Sequence, residues 1–176
     1  MDMIQGVEQD VPFDVYVSYG QILVRDCAVA LPASDWTDAH TAQGFARRSD
    51  TAQFATLIPY GAARVNVHHG VLVPADWHER VIRVPMAITS GCAIIEGPEV
   101  TPANSSVNLP AGFYRVYVAQ GRVQIDDEGS ARAQSIEVAF ERVSEMEDSS
   151  SILVCDAGLH PPPLLLESAE VAGGSR

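Results

Sequence analysis

The sequence predicts a mostly β protein, folded as a single-domain antiparallel β-sandwich with one or two short helices. The first observation behind this prediction is that apolar and polar side chains alternate through short segments, such as FDVYV at 13–17. Such alternation is typical of strands with one buried and one exposed face. The second observation is the regular spacing of turn residues between these segments, at 19–20, 60–61, 90–91, 110–112 and 120–121.

Two of the predicted strands show the alternation most clearly. The apolar residues on one face are Ile82, Val84, Met86 and Ile88 in VIRVPMAI, and Ile136, Val138 and Phe140 in SIEVAFER. Pro85 lacks a backbone N–H, so it places the first of these strands at an edge or a bulge of its sheet. The other candidate strands are FDVYV, QILVRD, QFATLIPY, ARVNVHH, CAIIE, GFYRVYVA, RVQID and SILVC.

The segment SDWTDAHTAQGFARR at 34–48 interrupts the strand pattern and predicts a helix of about two to three turns. Asp35 is expected to be the N-cap, and Asp38 lies in the first turn, where the helix dipole favours negative charge. Gly44 is expected to end the helix in a left-handed conformation. Asp35 and Asp38 could also be interpreted as a catalytic acid–base pair, but capping accounts for both carboxylates without chemistry.

The length of 176 residues and the hydrophobic content of 47% fit one domain with a sizeable core. We expect a flexible N-terminus at 1–12, a β-sandwich domain at 13–156 and a disordered, proline-rich tail at 157–176. Three consecutive prolines at 161–163 favour an extended tail. The chain shows no secretion signal and no apolar run that could span a bilayer, so no membrane association is expected.

The cysteines predict a reducing compartment. Cys27, Cys92 and Cys155 are far apart, odd in number and form no CxxC pair. This pattern indicates neither a disulfide framework nor a zinc site. We therefore expect a cytoplasmic protein.

The charge of the chain limits its partners. A formal net charge of −12 results from 23 acidic and 11 basic residues. It argues against direct binding to nucleic acid, because phosphates require a basic surface. The charge fits a protein partner with a basic surface, or simple solubility.

No segment of the sequence indicates an enzyme. His68, His69 and His78 cluster in the sequence, but adjacent strand residues point to opposite faces, so a solvated strand end is expected rather than a metal site. There is no GxSxG motif and no glycine-rich phosphate loop. We expect no catalytic residues, no metal and no cofactor.

Acidic clusters are the stronger functional lead. One cluster is the DDE segment, and the second lies in ERVSEMED. Together with Glu137, the two clusters are interpreted as one negative face of the protein. The alternative is that they are solvated loops. The residues concerned are Asp126, Asp127 and Glu128 in the first cluster, and Glu141, Glu145, Glu147 and Asp148 in the second.

Several segments in the same order resemble the competence protein J family. They are DWTD at 35–38, QGFARR from 43 and FATLI from 54, flanked by VYVSYGQILV, VIRVPMAIT, NLPAGFYRVYV and IEVAFERV. The resemblance runs from about Val15 to Val143. The tail containing PPPLLLESAEV is not a feature of the family.

The resemblance implies an intracellular inhibitor that binds and blocks a bacterial DNase. That DNase is either the DNA-entry nuclease of natural competence or an antibacterial nuclease toxin, in which case the chain is an immunity protein. Partner-binding residues are then expected in the two acidic clusters and at Asp35, Trp36 and Asp38. Trp36 and Phe45 are candidate interface anchors, or alternatively rings that close one end of the sandwich.

A rival interpretation is a non-catalytic β-sandwich module for a small ligand or sugar. Its stacking surface would consist of Tyr16, Tyr19, Trp77 and Tyr117. These aromatic residues are scattered over strands and loops, which weighs against this interpretation.

Overall fold

The structure, a computed structural model, describes residues 11–173, which form thirteen strands and one helix. The first half comprises β1 (Phe13–Val17), β2 (Gln21–Asp26), β3 (Ser34–Asp35), α1 (Asp38–Gln43), β4 (Phe45–Arg47), β5 (Thr51–Ala55), β6 (Gly61–His69) and β7 (His78–Ile88). The second half comprises β8 (Cys92–Glu96), β9 (Ser106–Asn108), β10 (Gly112–Ile125), β11 (Ala131–Val143), β12 (Ser151–Val154) and β13 (Glu170–Val171).

The strands form two sheets packed face to face. A six-stranded sheet has the order β1-β6-β11-β10-β7-β12, a five-stranded sheet has the order β4-β5-β2-β8-β9, and β13 pairs separately with β3. Strands account for 51% of the described residues and the helix for 4%, which confirms the mostly β prediction. Among the described residues no helix is long and apolar enough to cross a membrane.

The core lies between the two sheets and follows the alternation in the sequence. Residues Ile82, Val84, Met86 and Ile88 of β7 are all completely buried, as are Ile136 and Val138 of β11. Phe45 is also completely buried, which agrees with the interpretation that it is a packing residue. The apolar face of each strand predicted from its period of two is therefore the face that forms the core.

One pair of strands departs from the antiparallel prediction. β6 and β11 run parallel, with Val65 opposite Ile136. The order β6-β11-β10-β7 places the β10–β11 hairpin between β6 and β7, so residues 70–77 must cross the outer face of the sheet. Leu72 of this crossing is buried in a second, smaller apolar cluster with Tyr117 and Ala139.

Pro85 lies near an edge, as predicted. β12 pairs with β7 only between Val81 and Arg83, so the part of β7 that contains Pro85 has β10 as its one partner strand within the described sheet. A residue without an N–H donor is tolerated where a strand has a neighbour on one side only.

The helix begins two residues later than the sequence predicts. Asp35 lies in β3, and Thr37 is the N-cap: its hydroxyl accepts a hydrogen bond from the His40 backbone N–H at 3.5 Å. The His40 ring completes the cap, since its Nδ1 accepts the Thr37 backbone N–H at 3.0 Å. Gly44 ends the helix with φ 84°, the left-handed stop that was predicted.

The expectation of unpaired cysteines is wrong for two of the three. Cys27 and Cys92, which are 65 positions apart in sequence, form a disulfide, whereas Cys155 is free and exposed. The two cysteines meet because β2 and β8 are neighbours, with Asp26 opposite Ala93. Sequence spacing cannot reveal a pair that is created by strand pairing.

The tail differs from the disordered segment expected at 157–176. Val171 in β13 pairs with Ser34 in β3, and Gln43 of α1 holds the backbone of Leu166 from both sides. The Gln43 amide donates to the Leu166 carbonyl at 2.9 Å, and its oxygen accepts the Leu166 N–H at 2.8 Å. Residues of the tail thus contact backbone and side-chain groups more than a hundred positions away. Residues 174–176, and residues 1–10 of the predicted flexible N-terminus, lie outside the described range.

Several acidic residues with lowered pKa values tie stability to pH, among them Asp26 and Asp156. Burial alone would raise the pKa of Asp26, but backbone N–H groups of Ser90, Ala28 and Thr89 outweigh it and hold the pKa below its ordinary value. Burial likewise acts to raise the pKa of Asp156, and the charge-assisted hydrogen bonds from Arg80, at 2.6 and 2.9 Å, outweigh it.

We expect the free energy of unfolding to be constant above about pH 5 and to fall below about pH 4. A carboxyl whose native pKa is depressed stabilises the fold above its unfolded pKa and loses that contribution as pH falls through the native value. Urea unfolding at a series of pH values measures this dependence. Asp26→Asn should make the free energy of unfolding depend less steeply on pH below about pH 4, whereas the exposed Asp127→Asn should leave that dependence unchanged. Identical slopes for wild type and Asp26→Asn would contradict the assignment.

Candidate partner-binding surfaces

The two acidic clusters lie at opposite ends of the β10–β11 hairpin. The hairpin-tip acids, Asp126, Asp127 and Glu128, lie in the loop after β10, where Ile125 pairs with Ala131. The strand-end acids, Glu141, Glu145, Glu147 and Asp148, lie at the other end, where Phe113 pairs with Val143. At a rise of about 3.4 Å per residue these ends are roughly 40 Å apart. The single negative face interpreted from the sequence is therefore not formed.

Half of the strand-end acids are paired with an arginine. Arg115 contacts Glu141 at 2.8 Å and Glu147 at 2.5 Å, and Tyr117 donates its hydroxyl hydrogen to Glu141 at 2.6 Å. The hydrogen bond from Arg115 lowers the pKa of Glu147, and the same bond raises the pKa of Arg115. Arg115 offsets one of these two carboxylate charges, and the exposed Glu145 and Asp148 add two further negative charges to this end.

Asp126 shapes the hairpin tip, while its neighbours project into solvent. The carboxylate of Asp126 accepts the backbone N–H of Ser130 at 2.9 Å and of Glu128 at 3.0 Å, and it pairs with Arg132 at 3.0 Å. These contacts, led by the bond from Ser130, lower the pKa of Asp126. Asp127 and Glu128 have exposed side chains. They are the two acids at this tip that are available to a partner.

Trp36 and its two acidic neighbours form a third surface. Trp36 is half-buried, its indole N–H donates to the Gln53 side chain at 3.4 Å, and its ring meets His40 edge to face at 6.3 Å. Asp35 is exposed opposite Glu170 of β13, and like charges opposite one another destabilise a strand pair. Asp38 is exposed at the start of α1.

His40 and Arg47, which sequence analysis did not single out, fasten the tail beside this surface. His40 is buried, and because its Nδ1 accepts a backbone N–H, its Nε2 carries the proton and donates to the Ser168 carbonyl at 2.8 Å. Arg47 pairs with Glu167 at 2.9 Å, and Glu167 also accepts the Ser150 N–H at 2.6 Å. No signal in the sequence reveals the contacts of His40 and Arg47 with the tail, because the partners are 120 to 128 positions apart.

The histidines do not form a metal site in the part of the chain that the structure describes. His78 is buried, with Nδ1 accepting the Ala75 N–H at 2.8 Å and Nε2 contacting Glu137 at 2.9 Å. His68 lies 3.7 Å from the other oxygen of the same carboxylate. No group of three or more His, Cys, Asp or Glu side chains among residues 11–173 is arranged to hold a metal ion.

The aromatic residues of the rival ligand module do not form one surface. Tyr117 is buried, with 3% of its surface exposed. Trp77 is half-buried and lies against the guanidinium of Arg122, 4.1 Å from its ring centre. Tyr16 and Tyr19 are exposed near the end of β1. A stacking platform of all four residues is therefore excluded.

Comparison with known proteins supports the family resemblance. A family model described as competence protein J (ComJ) matches residues 14–142. The crystal structure of ComJ from Bacillus subtilis, described as an inhibitor of the DNA-degrading activity of NucA, has a similar fold with a TM-score of 0.65 and 20% sequence identity; the match covers 77% of this chain and 98% of that chain.

A second solved structure is more distant. It is described as crocagin biosynthetic gene J and matches with a TM-score of 0.45 and 14% identity, over 74% of this chain and 96% of that chain. This likeness is too weak to carry an argument. No curated protein sequence matches the chain.

Proposed function

Because the chain belongs to the competence protein J family, we propose that it is a non-catalytic inhibitor or immunity protein that binds and blocks a bacterial DNase. The observation that carries this proposal is the match of the family model over residues 14–142. The similar fold of ComJ, an inhibitor of NucA, supports it. The net charge of −12 is complementary to a DNA-cutting site, which must present basic residues to phosphates.

The proposal treats the exposed members of the three surfaces described above as alternative partner-binding sites, of which one meets the nuclease. Inhibition would then result from occlusion: the inhibitor covers the groove through which DNA reaches the nuclease. The identity of the DNase distinguishes a competence role from an immunity role, and the fold accommodates both.

We expect the purified protein to inhibit a NucA-like nuclease from the same genome with an equivalence point near one inhibitor per nuclease. Plasmid DNA digestion, followed on a gel over a titration of inhibitor, measures this. The inhibitor alone should neither cut duplex DNA nor retard it in a gel shift at about physiological ionic strength, because its negative charge repels phosphate.

An unrelated metal-dependent DNase provides the control. An acidic protein could lower activity by withdrawing the metal ion, in which case both nucleases would lose activity together. Inhibition of the NucA-like enzyme alone supports a specific complex. Equal inhibition of both enzymes, or retardation of the DNA by the inhibitor itself, would contradict the proposal.

The proposal also assigns the protein to the cytoplasm, where disulfides are rare. Fractionation of cells tests this part separately. Recovery in the cytoplasmic fraction would agree with the assignment, and recovery in a secreted or periplasmic fraction would contradict it.

A further inference from the structure

An exposed tyrosine occupies a backbone conformation that tyrosine rarely adopts. Tyr19 has φ 53° and the following Gly20 has φ 63°, within a tight turn in which the Gln21 N–H donates to the Ser18 carbonyl at 3.1 Å. Positive φ at both central residues is typical of a type I′ turn, where Asn, Asp and Gly are strongly preferred. Tyr19 is 66% exposed, so core packing does not explain a bulky residue there.

Tyr19 forms a pair with a second exposed tyrosine. Its ring meets that of Tyr60 edge to face, with the ring centres 5.7 Å apart. The loops that carry the two rings are joined by backbone hydrogen bonds: the Gly20 N–H donates to the Pro59 carbonyl and the Thr56 N–H to the Gly20 carbonyl, both at 2.8 Å. The tyrosine pair is therefore held on two mutually fastened turns.

Two buried glutamines hold the backbone of the loop that carries Tyr60. The side-chain oxygen of Gln120 in β10 accepts the Leu57 N–H at 3.2 Å, and that of Gln134 in β11 accepts the Ile58 N–H at 3.0 Å. Gln134 also donates to Gln120 at 2.9 Å. This network orders the loop before any partner arrives. Ordering in advance lowers the entropy cost of association.

The tyrosine pair lies beside the hairpin-tip acids. Gly61, the residue after Tyr60, packs so closely on β11 that a Cβ placed there would lie 2.0 Å from the Arg132 carbonyl oxygen. The Arg132 side chain in turn pairs with Asp126 at the hairpin tip. Two exposed aromatic rings and two exposed carboxylates, those of Asp127 and Glu128, thus belong to the same end of the sandwich.

We propose that the tyrosine pair and the acids Asp127 and Glu128 form the docking surface that enters the basic DNA-binding groove of the nuclease. The inference rests on the proposed function and identifies its interface. Tyrosine is enriched among the residues that dominate interface energy. Aromatic faces attract the Lys and Arg side chains that such a groove presents to phosphate, and the carboxylates steer its approach.

The inference is tested by measuring association and dissociation rates with the NucA-like nuclease over a salt series. The double variant Tyr19→Asn with Tyr60→Ala removes both rings, and Asn suits the left-handed turn. We expect the dissociation rate to rise at least about tenfold, while the midpoint of thermal unfolding stays unchanged. Tyr19→Phe alone retains a ring and should bind as wild type does. Asp127→Asn with Glu128→Gln should slow association and weaken its salt dependence.

Matched controls come from the other end of the hairpin. Phe113→Ala removes an aromatic residue that is 38% exposed, and Glu145→Gln with Asp148→Asn makes the same change in net charge as the tip variant. Both controls should remain within about twofold of wild type, since neither touches the docking surface.

Three results would overturn the inference, and they separate it from the proposed function. If the tyrosine variant binds and inhibits as wild type does, the interface lies elsewhere while the function stands. If the strand-end variant is impaired instead, the other end of the hairpin is the interface. If wild type binds no nuclease but binds single-stranded DNA through the tyrosine pair, both proposals fail.

Discussion

Removal of the Cys27–Cys92 disulfide, by the double change Cys27→Ser and Cys92→Ser, is expected to lower the free energy of unfolding by about 4 kcal/mol. The bond closes a loop of 65 residues, and a cross-link over such a distance restricts the unfolded chain much more than the folded one. Because β2 and β8 are already paired, we expect the native fold to remain at neutral pH with reduced stability.

Urea unfolding with and without a reducing agent measures this effect. Cys155→Ser is the control, because Cys155 is free and exposed; it should leave the unfolding midpoint unchanged. Thiol titration of the denatured, non-reduced protein should find one reactive group. Three reactive groups, together with a midpoint that does not respond to reduction, would show that the two cysteines are unpaired.

Gly61→Ala is the second change with a large expected effect, a loss of about 3–4 kcal/mol in the free energy of unfolding. At φ 140° a side chain is strained, and its Cβ would lie 2.0 Å from the backbone oxygen of Arg132. Since the obstructing atom belongs to the backbone of β11, the parallel pairing of β6 and β11 must shift to make room.

Gly70→Ala separates the two sources of that loss. Gly70 has a comparable φ of 119°, but no atom lies within 4 Å of the added Cβ. Gly70→Ala therefore introduces the backbone strain without the collision and should lower the free energy of unfolding by about 1–2 kcal/mol. If urea unfolding shows that both variants lose the same free energy of unfolding, the collision with Arg132 does not contribute and this explanation is wrong. Gly61→Ala should also weaken nuclease binding beyond its effect on stability, because Gly61 adjoins the tyrosine pair.

The features that the sequence predicts are those determined by neighbouring residues. The alternation in VIRVPMAI identifies the buried face of β7, because successive side chains of a strand point to opposite sides wherever the strand lies. The prediction that α1 ends at Gly44 follows in the same way, because glycine readily adopts a left-handed conformation. Neither conclusion requires knowledge of which strands are neighbours.

The features that the sequence does not predict depend on contacts between distant residues. The sequence predicts Asp35 as the N-cap, whereas the structure has Thr37. The cap at Thr37 is completed by the His40 ring, and the tail holds that ring through Ser168. The disulfide and the ordered tail depend on the pairing of β2 with β8 and of β3 with β13. The separation of the acidic clusters depends on the register of β10 and β11, although DDEGS between two alternating segments is itself a hairpin signal.

The short pairing of β12 with β7 has a consequence for self-assembly. A polypeptide that stopped near residue 143 would retain the region that matches the family model but would lack β12, leaving the β7 backbone open beside Val81 and Ile82. An uncovered, apolar strand edge recruits strands from other molecules and starts fibrillar aggregation. Residues 151–154 therefore act as a guard strand, which keeps a sheet rich in valine and isoleucine from growing beyond its own chain.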